Sequence, residues 1–208
     1  MSEVVAVADD RVAIAVADTA TGQALANRLR RLPGCIEAVA GIAVVECQFD
    51  LARTNVAAFS AAVESEGILA VRAAAEPGPV HDIPVIYGGA DGPDLEAVSA
   101  TLGLDGREFT RRHTAQTYTV AMLGFTPGFA YLDGMDAALA VPRREAPRQF
   151  VPAGSIGIAG GRSGIYALDG PGGWQIVGRT PTALFNPEAD TPFLLAAGDR
   201  VRFVEATT

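Results

Sequence analysis

The chain has 208 residues, 49% of them hydrophobic, enough apolar material for one large domain or two small ones and too much for global disorder. Its formal net charge of −8 removes any general attraction to nucleic acid. No apolar run approaches the roughly 20 residues that span a bilayer, and the acidic start MSEVVAVADDR lacks the basic region of a signal peptide, so a soluble cytoplasmic protein without a membrane or nucleic-acid partner is predicted.

Residues 11–17 form a short run rich in valine and isoleucine, followed by the helix-capping residues Asp18 and Thr19, which reads as a strand leading into a helix. Leu25, Leu29 and Leu32 share one face of that helix, Arg28, Arg30 and Arg31 lie outside it, and Pro33-Gly34 ends it. Two β-like runs, 36–40 and 42–48, hinge at Gly41. A second helix over residues 52–66 brings Val56, Phe59 and Val63 into register, and residues 81–87 read as a further strand. Strand, helix, two strands, helix, strand is the βαββαβ order of a ferredoxin-like sandwich, so an α+β fold is predicted with its first domain over residues 1–85. Residues 86–116 carry two capped helices, beginning near Asp91 or Pro93 and near Asp105, and read as a helical linker. From residue 117 to 208, short runs such as YTVAML, SIGIAG, GIYAL, WQIV and RVRFV alternate with glycine and proline turns, the pattern of a compact β-barrel or sandwich.

All 16 basic residues are arginine, which excludes a Walker A phosphate lysine, a Schiff-base lysine, a Ser–Lys dyad and a biotin-bearing lysine. Residues 1–100 hold 6 of these arginines against 14 acidic residues, while residues 101–208 hold 10 of each. The acidic half suits solubility or a basic protein partner. Cys35 and Cys47 sit in apolar surroundings without CxxC spacing and read as buried structural thiols, with no metal site.

Only His81 and His113 could serve histidine chemistry. His81, beside Asp82, reads as a surface residue. His113 ends a helix in FTRRHTAQTY, where neighbouring arginines lower its pKa and a helix C-terminus raises it. A second group is arginine-rich: Arg143, Arg144 and Arg148 in PRREAPR, Arg162 in GGRSG and Arg179 in GRTP. Proline stiffens the first stretch, and fixed guanidiniums suit a carboxylate or phosphate, though the same loop could be solvated and paired with Glu145 or Asp136. Third are the glycine turns at 151–155, 159–164 and 171–174, which allow close approach of a ligand to the backbone or simply tight barrel corners; none has a nucleotide-motif form.

The ordered motifs IPVIYGG, His113 to Tyr118, GFTPGFAYL, PRREAPRQFVPAGSIGIAGG, GIY, GPGGWQIVGRTPTALFNP and AAGDRVRF closely resemble the carboxyltransferase C/D-type domain family. That family joins the B subunit of bacterial ATP-dependent 5-oxoprolinase, subunit 1 of allophanate hydrolase and the KipI-type kinase inhibitors. The resemblance covers residues 80–205 by motif and residues 10–80 by organisation. It implies a ferredoxin-like first domain and a cyclophilin-like barrel. It also implies a C-type partner subunit with a second such barrel, an A subunit, and ATP with magnesium shared with the partner to activate the lactam of 5-oxoproline. The alternatives within the family are an inhibitor docking on a sensor histidine kinase and a subunit of a urea or allophanate amidohydrolase.

By resemblance, Phe125, Pro127, Gly128 and Phe129 shape a barrel pocket. His113, Arg148 and Arg179 are its candidate catalytic contacts, and Ser155, Arg162 and Thr180 are further substrate contacts. Many members read GGQTGIYP where this chain has Gly160 to Ala167 as GGRSGIYA, and Arg162 is expected to add positive charge at the pocket edge.

Overall fold

The computed structural model describes residues 4–65 and 78–206. The chain divides into two compact units, Met1–Glu76 and Pro77–Thr208.

The first unit contains β1 (Val4–Ala8), β2 (Arg11–Ala15), α1 (Thr19–Leu29), β3 (Cys35–Ala40), β4 (Val44–Phe49) and α2 (Val56–Ser65). Its antiparallel sheet runs β1-β2-β4-β3. Asp18 starts α1 by accepting the Thr21 N–H at 2.7 Å, and that bond holds its carboxyl below the usual range. Alternation along the strands sends Val12, Ile14, Val45, Cys47 and Phe49 to one face, where they bury Leu25, Leu29, Phe59 and Val63 of the two helices. The Phe49 and Phe59 rings stack with centroids 4.7 Å apart. Cys35 and Cys47 are free thiols with sulfurs 3.4 Å apart, and burial pushes the Cys47 thiol well up.

Two expectations change here. The second helix starts at Val56 because Asp50 and Asn55 accept the N–H groups of Ala52 and Ala58, turning the chain first; Glu66 lies outside the described residues. Among the described residues the element order is ββαββα, with β1 taking the edge beside β2 that residues 81–87 were expected to fill.

Residues 81–87 belong instead to β5 (Val80–Tyr87), the first strand of the second unit. It is followed by α3 (Leu95–Thr101), α4 (Gly106–Thr114), β6 (Tyr118–Leu123), β7 (Ala130–Asp133), β8 (Arg148–Val151), β9 (Ser155–Ala159), β10 (Arg162–Ile165), β11 (Gly170–Gly172), β12 (Gln175–Arg179) and β13 (Arg200–Glu205). Seven strands close a barrel in the order β10-β7-β6-β13-β5-β12-β9, and β8 pairs with β11 in a separate ribbon. β5 lies parallel to β13 over six residue pairs and antiparallel to β12. Arg202 on β13 grips Asp82 on β5 through two bonds of 2.7 and 2.8 Å. Ile83 and Val85 point into the barrel core; their alternation reveals a buried face but not the sheet that buries it. Among the described residues no helix is long and apolar enough to cross a membrane.

His113, expected at a ligand pocket, is in the core. Its side chain is 0% exposed, stacked 4.8 Å from Phe203 and 5.9 Å from Phe109. The Ser163 hydroxyl donates to the Gly157 carbonyl at 3.4 Å, so it accepts from His113 Nε2–H at 3.1 Å, and Nδ1 accepts the Tyr87 hydroxyl at 2.7 Å. Tyr118 donates to the His113 carbonyl at 2.8 Å. The imidazole is thus a neutral crosslink between α4, β5 and β10, an arrangement that adjacent arginines in sequence do not reveal. His81, at the outer end of β5, meets Asp199 at 3.0 Å.

Burial pushes the His113 pKa down to about 3. Below the ordinary value of about 6.5 the unfolded chain takes up a proton that the fold refuses, so this contribution to stability is present above that pH and is lost as pH falls toward 3. Between pH 7 and 5 the loss from this one group is about 2 kcal/mol. Urea unfolding at the two pH values should therefore show a flatter decline for His113→Gln than for the native chain. Equal declines would mean that the folded imidazole is open to protons.

Candidate functional site

Asp94 stands at the start of α3 but does not cap it with its side chain. Its backbone N–H donates to the Ile176 carbonyl at 2.9 Å, and its Oδ2 accepts the Ile176 N–H at 2.6 Å, so one residue pairs the stretch of β12 that lies beyond its pairing with β5 at Gly178 and Arg179. Its Oδ1 accepts Arg148 Nη2 at 2.6 Å and Arg144 Nη1 at 3.3 Å. The loop before it can lie this close to β12 only because residue 92 is glycine: a Cβ there would overlap the Val177 carbonyl. One nearly buried carboxylate therefore faces two guanidiniums, and the local balance is positive. Arg148 Nη1 and Arg144 Nε remain buried without a hydrogen-bond partner. Unmade bonds of this kind cost about 1–3 kcal/mol each, and an anion can recover part of that cost.

Two cavities open beside this clamp. The larger, about 490 Å³, is lined by Ile86, Asp91, Ala153, Gly154, Ala167, Arg179, Thr180, Pro181, Thr182, Ala183 and Phe185. The second, about 270 Å³, is lined by Ala90, Asp91, Pro93, Arg148, Phe150, Val151, Pro152, Ser155, Ile176 and Arg179. Asp91 and Arg179 belong to both. Barrel register explains how distant residues meet here, since Arg179 on β12 lies directly opposite Ser155 on β9. Arg179 donates to the Ala153 carbonyl at 2.9 Å and stands 3.9 Å from Asp91. Gly154 takes a left-handed φ of +83°, and a Cβ on it would overlap the Thr180 carbonyl, so this turn also needs glycine.

A third pocket of about 90 Å³ is lined by Phe125, Phe129, Tyr131, Arg143, Tyr166, Gly172, Gly173 and Trp174.

Of the ten residues expected at one pocket, four meet at the two adjoining cavities: Arg148, Ser155, Arg179 and Thr180. Phe125 and Phe129 line the aromatic pocket instead. Gly128 presses its backbone toward Ala167 and Phe185 of the larger cavity, while Pro127 is exposed and lines none of the three. Arg162 also lines none of them: its charge is met by Asp133 at 2.6 Å across β10 and β7. The serine beside it, Ser163, holds His113. Asp91 and Asp94 were not expected as site residues, because GGADGPD reads as a helix start; two acids in a glycine-rich turn, facing an arginine-rich loop in sequence, were the available signal.

Removing Asp94 strands two partly buried guanidiniums and leaves the buried Ile176 N–H without its carboxylate partner, so Asp94→Ala should lower unfolding free energy by about 3–5 kcal/mol. Urea denaturation at pH 7 measures this, and a loss below about 1 kcal/mol would show that the clamp does not hold the loop.

Comparison with known proteins agrees with this architecture. The chain is 52% identical over 125 residues to the B subunit of Bacillus subtilis 5-oxoprolinase, covering 60% of this chain and 52% of that protein. It is 51% identical over 123 residues to the B subunit of Escherichia coli O157:H7 5-oxoprolinase, covering 59% and 56%. The chain thus spans about half the length of the curated relatives it matches. The crystal structure of TTHA0988 superposes with a TM-score of 0.80 at 36% identity, covering 95% of this chain and 40% of that one. Residues 2–195 match the carboxyltransferase domain, subdomain C and D, and the chain belongs to that family.

Proposed function

We propose that this chain acts as the B subunit of an ATP-dependent 5-oxoprolinase, working in the cytoplasm with a C-type subunit that carries a second barrel and with an A subunit. The observation that carries the reading is the pair of adjoining cavities that share Arg179, in a chain that is 52% and 51% identical, over 125 and 123 residues, to two proteins bearing that name. The barrel is read as cyclophilin-like. The first unit is read as a ferredoxin-like sandwich with its edge strand moved to the N-terminal end.

The lining suits a phosphate-bearing ligand. Arg179 and Arg148 offer fixed guanidiniums, Arg148 keeps an unmatched buried N–H group, and Thr180 offers a hydroxyl beside them. Bound with a magnesium shared with the partner subunit, ATP would be held through its phosphates by Arg148, Arg179 and Thr180 and would supply the phosphoryl group that makes the lactam oxygen a leaving group, with ADP released. The chain's own part is electrostatic: donors preset toward developing negative charge do not need to reorganise as that charge appears. Asp94 keeps Arg148 and Arg144 in place by taking one donor from each. Phe150, Val151, Ile176 and Phe185 supply apolar wall that displaces water and strengthens these interactions.

With the C-type subunit added to the full chain, ATP hydrolysis should rise when 5-oxoproline is supplied. Arg179→Ala should cut that turnover by about 100-fold, the usual loss for one preorganised donor. Its side chain is 46% exposed, so its stability should stay within about 1 kcal/mol of the native chain. Turnover indifferent to 5-oxoproline would overturn the substrate assignment, and full activity in Arg179→Ala would overturn the role of the shared arginine.

A further inference from the structure

The pocket at the GFTPGF loop is built differently from the two cavities beside Asp94. Phe129 is its centre: the ring meets Phe125 at 5.6 Å, Tyr131 at 4.7 Å, Tyr166 at 4.9 Å and Trp174 at 5.7 Å, each edge to face. Four of these five rings are held by their surroundings. The fifth, Phe125, is 62% exposed and takes a φ of +72°, the one non-glycine residue among those described in the left-handed region. Holding a phenylalanine there costs on the order of 1 kcal/mol or more, and folding stability gains nothing from a ring left in solvent. The strained backbone keeps an aromatic face at the mouth of a pocket.

Charge narrows the occupant. Arg143 lies over the Trp174 ring at 5.9 Å, and among the described residues it makes no ion pair, whereas Arg144, Arg148, Arg162 and Arg179 each face a carboxylate. No acidic side chain lines the pocket, so an aromatic box that would otherwise suit an ammonium group repels it and attracts an anion. Size narrows it further. A volume of about 90 Å³ marks a small ligand, well below the roughly 300–1,000 Å³ of pockets that enclose a drug-sized one.

We infer that this pocket binds a small carboxylic acid built on a five-membered ring, with the ring against Phe125, Phe129 and Trp174 and the carboxylate on Arg143. The inference rests on the proposed reaction for its best ligand, 5-oxoproline, and gives the ring carboxylate a pocket whose lining is separate from that of the cavities at Arg148 and Arg179. Arg143 is then a substrate-binding residue that the family motifs, which point to Arg148 and Arg179, do not single out.

Trp174 is the only tryptophan in the chain, so intrinsic fluorescence reads this pocket directly. Titrating the full chain with 5-oxoproline should give a saturable fluorescence change with matching heat in calorimetry. Binding should weaken by about tenfold or more for 2-pyrrolidinone, which lacks the carboxylate, and for propionate, which lacks the ring. Arg143→Gln should weaken 5-oxoproline by about the same factor without moving the thermal transition, because the side chain is exposed. Neither heat nor fluorescence response to 5-oxoproline, equal affinity for 2-pyrrolidinone, or an unchanged Arg143→Gln variant would each overturn the assignment. The two readings fail separately: 5-oxoproline-driven ATP turnover with Arg143→Gln fully active removes the pocket assignment alone, and an Arg143-dependent response without ATP turnover removes the enzyme reading alone.

Discussion

The Asp94 carboxylate organises the functional end of the barrel. A barrel strand whose edge N–H faces a loop needs a partner for that donor, and Asp94 provides it at Ile176 while its other oxygen holds Arg148 and Arg144. Arg144 comes from a proline-flanked loop that donates its backbone N–H to the Gly173 carbonyl, and Arg148 opens β8 opposite Gly172. Without the carboxylate their charges would repel each other and turn outward to water. The same anion that anchors the loop is outnumbered by the cations it anchors, so the clamp leaves a site that is ordered and still attracts negative charge.

The barrel interior follows a different rule. Its one histidine is sealed between Phe203 and Phe109 and is satisfied at both ring nitrogens by Tyr87 and Ser163. A polar group in such a place is tolerated only when every donor and acceptor is matched, and the match ties a helix to two barrel strands. Polar chemistry is thus divided by depth: a neutral, fully paired imidazole inside, and partly paired guanidiniums at the rim. The closed barrel also shares its edges among its own strands, leaving the short β8–β11 ribbon and the glycine turns to shape the cavities.

How much was legible varied with the range of the interaction. The helix face of Leu25 and Leu29, the capping role of Asp18 and the run of short strands after residue 117 depend on neighbours a few positions away, and each is visible as a period or a cap. The assignment of residues 81–87 to the first sheet failed because alternation names a buried face and not its partner; the parallel pairing with β13 spans about 120 positions and leaves no local mark. Family motifs pointed to Arg148, Ser155, Arg179 and Thr180 together, and strand register brings Ser155 and Arg179 opposite each other. The same motifs grouped His113 and Arg162 with them, although burial removes the first and Asp133 neutralises the second.

The sequence alone determined what chemistry is possible: with arginine as the only basic residue, every lysine-based mechanism is closed and anion binding falls to guanidiniums and backbone N–H groups. It also determined an α+β chain with a β-rich second half, because hydrophobic period and turn residues act locally. Only the tertiary structure decided which arginines are free to act. Asp94 takes up part of Arg144 and Arg148, Asp133 takes Arg162, Asp91 stands off from Arg179 at 3.9 Å, and Arg143 is left over Trp174 with no described carboxylate. Those pairings depend on which side chains the closed barrel brings within a few ångströms, and electrostatic attraction at that range is set by distance and burial rather than by position along the chain.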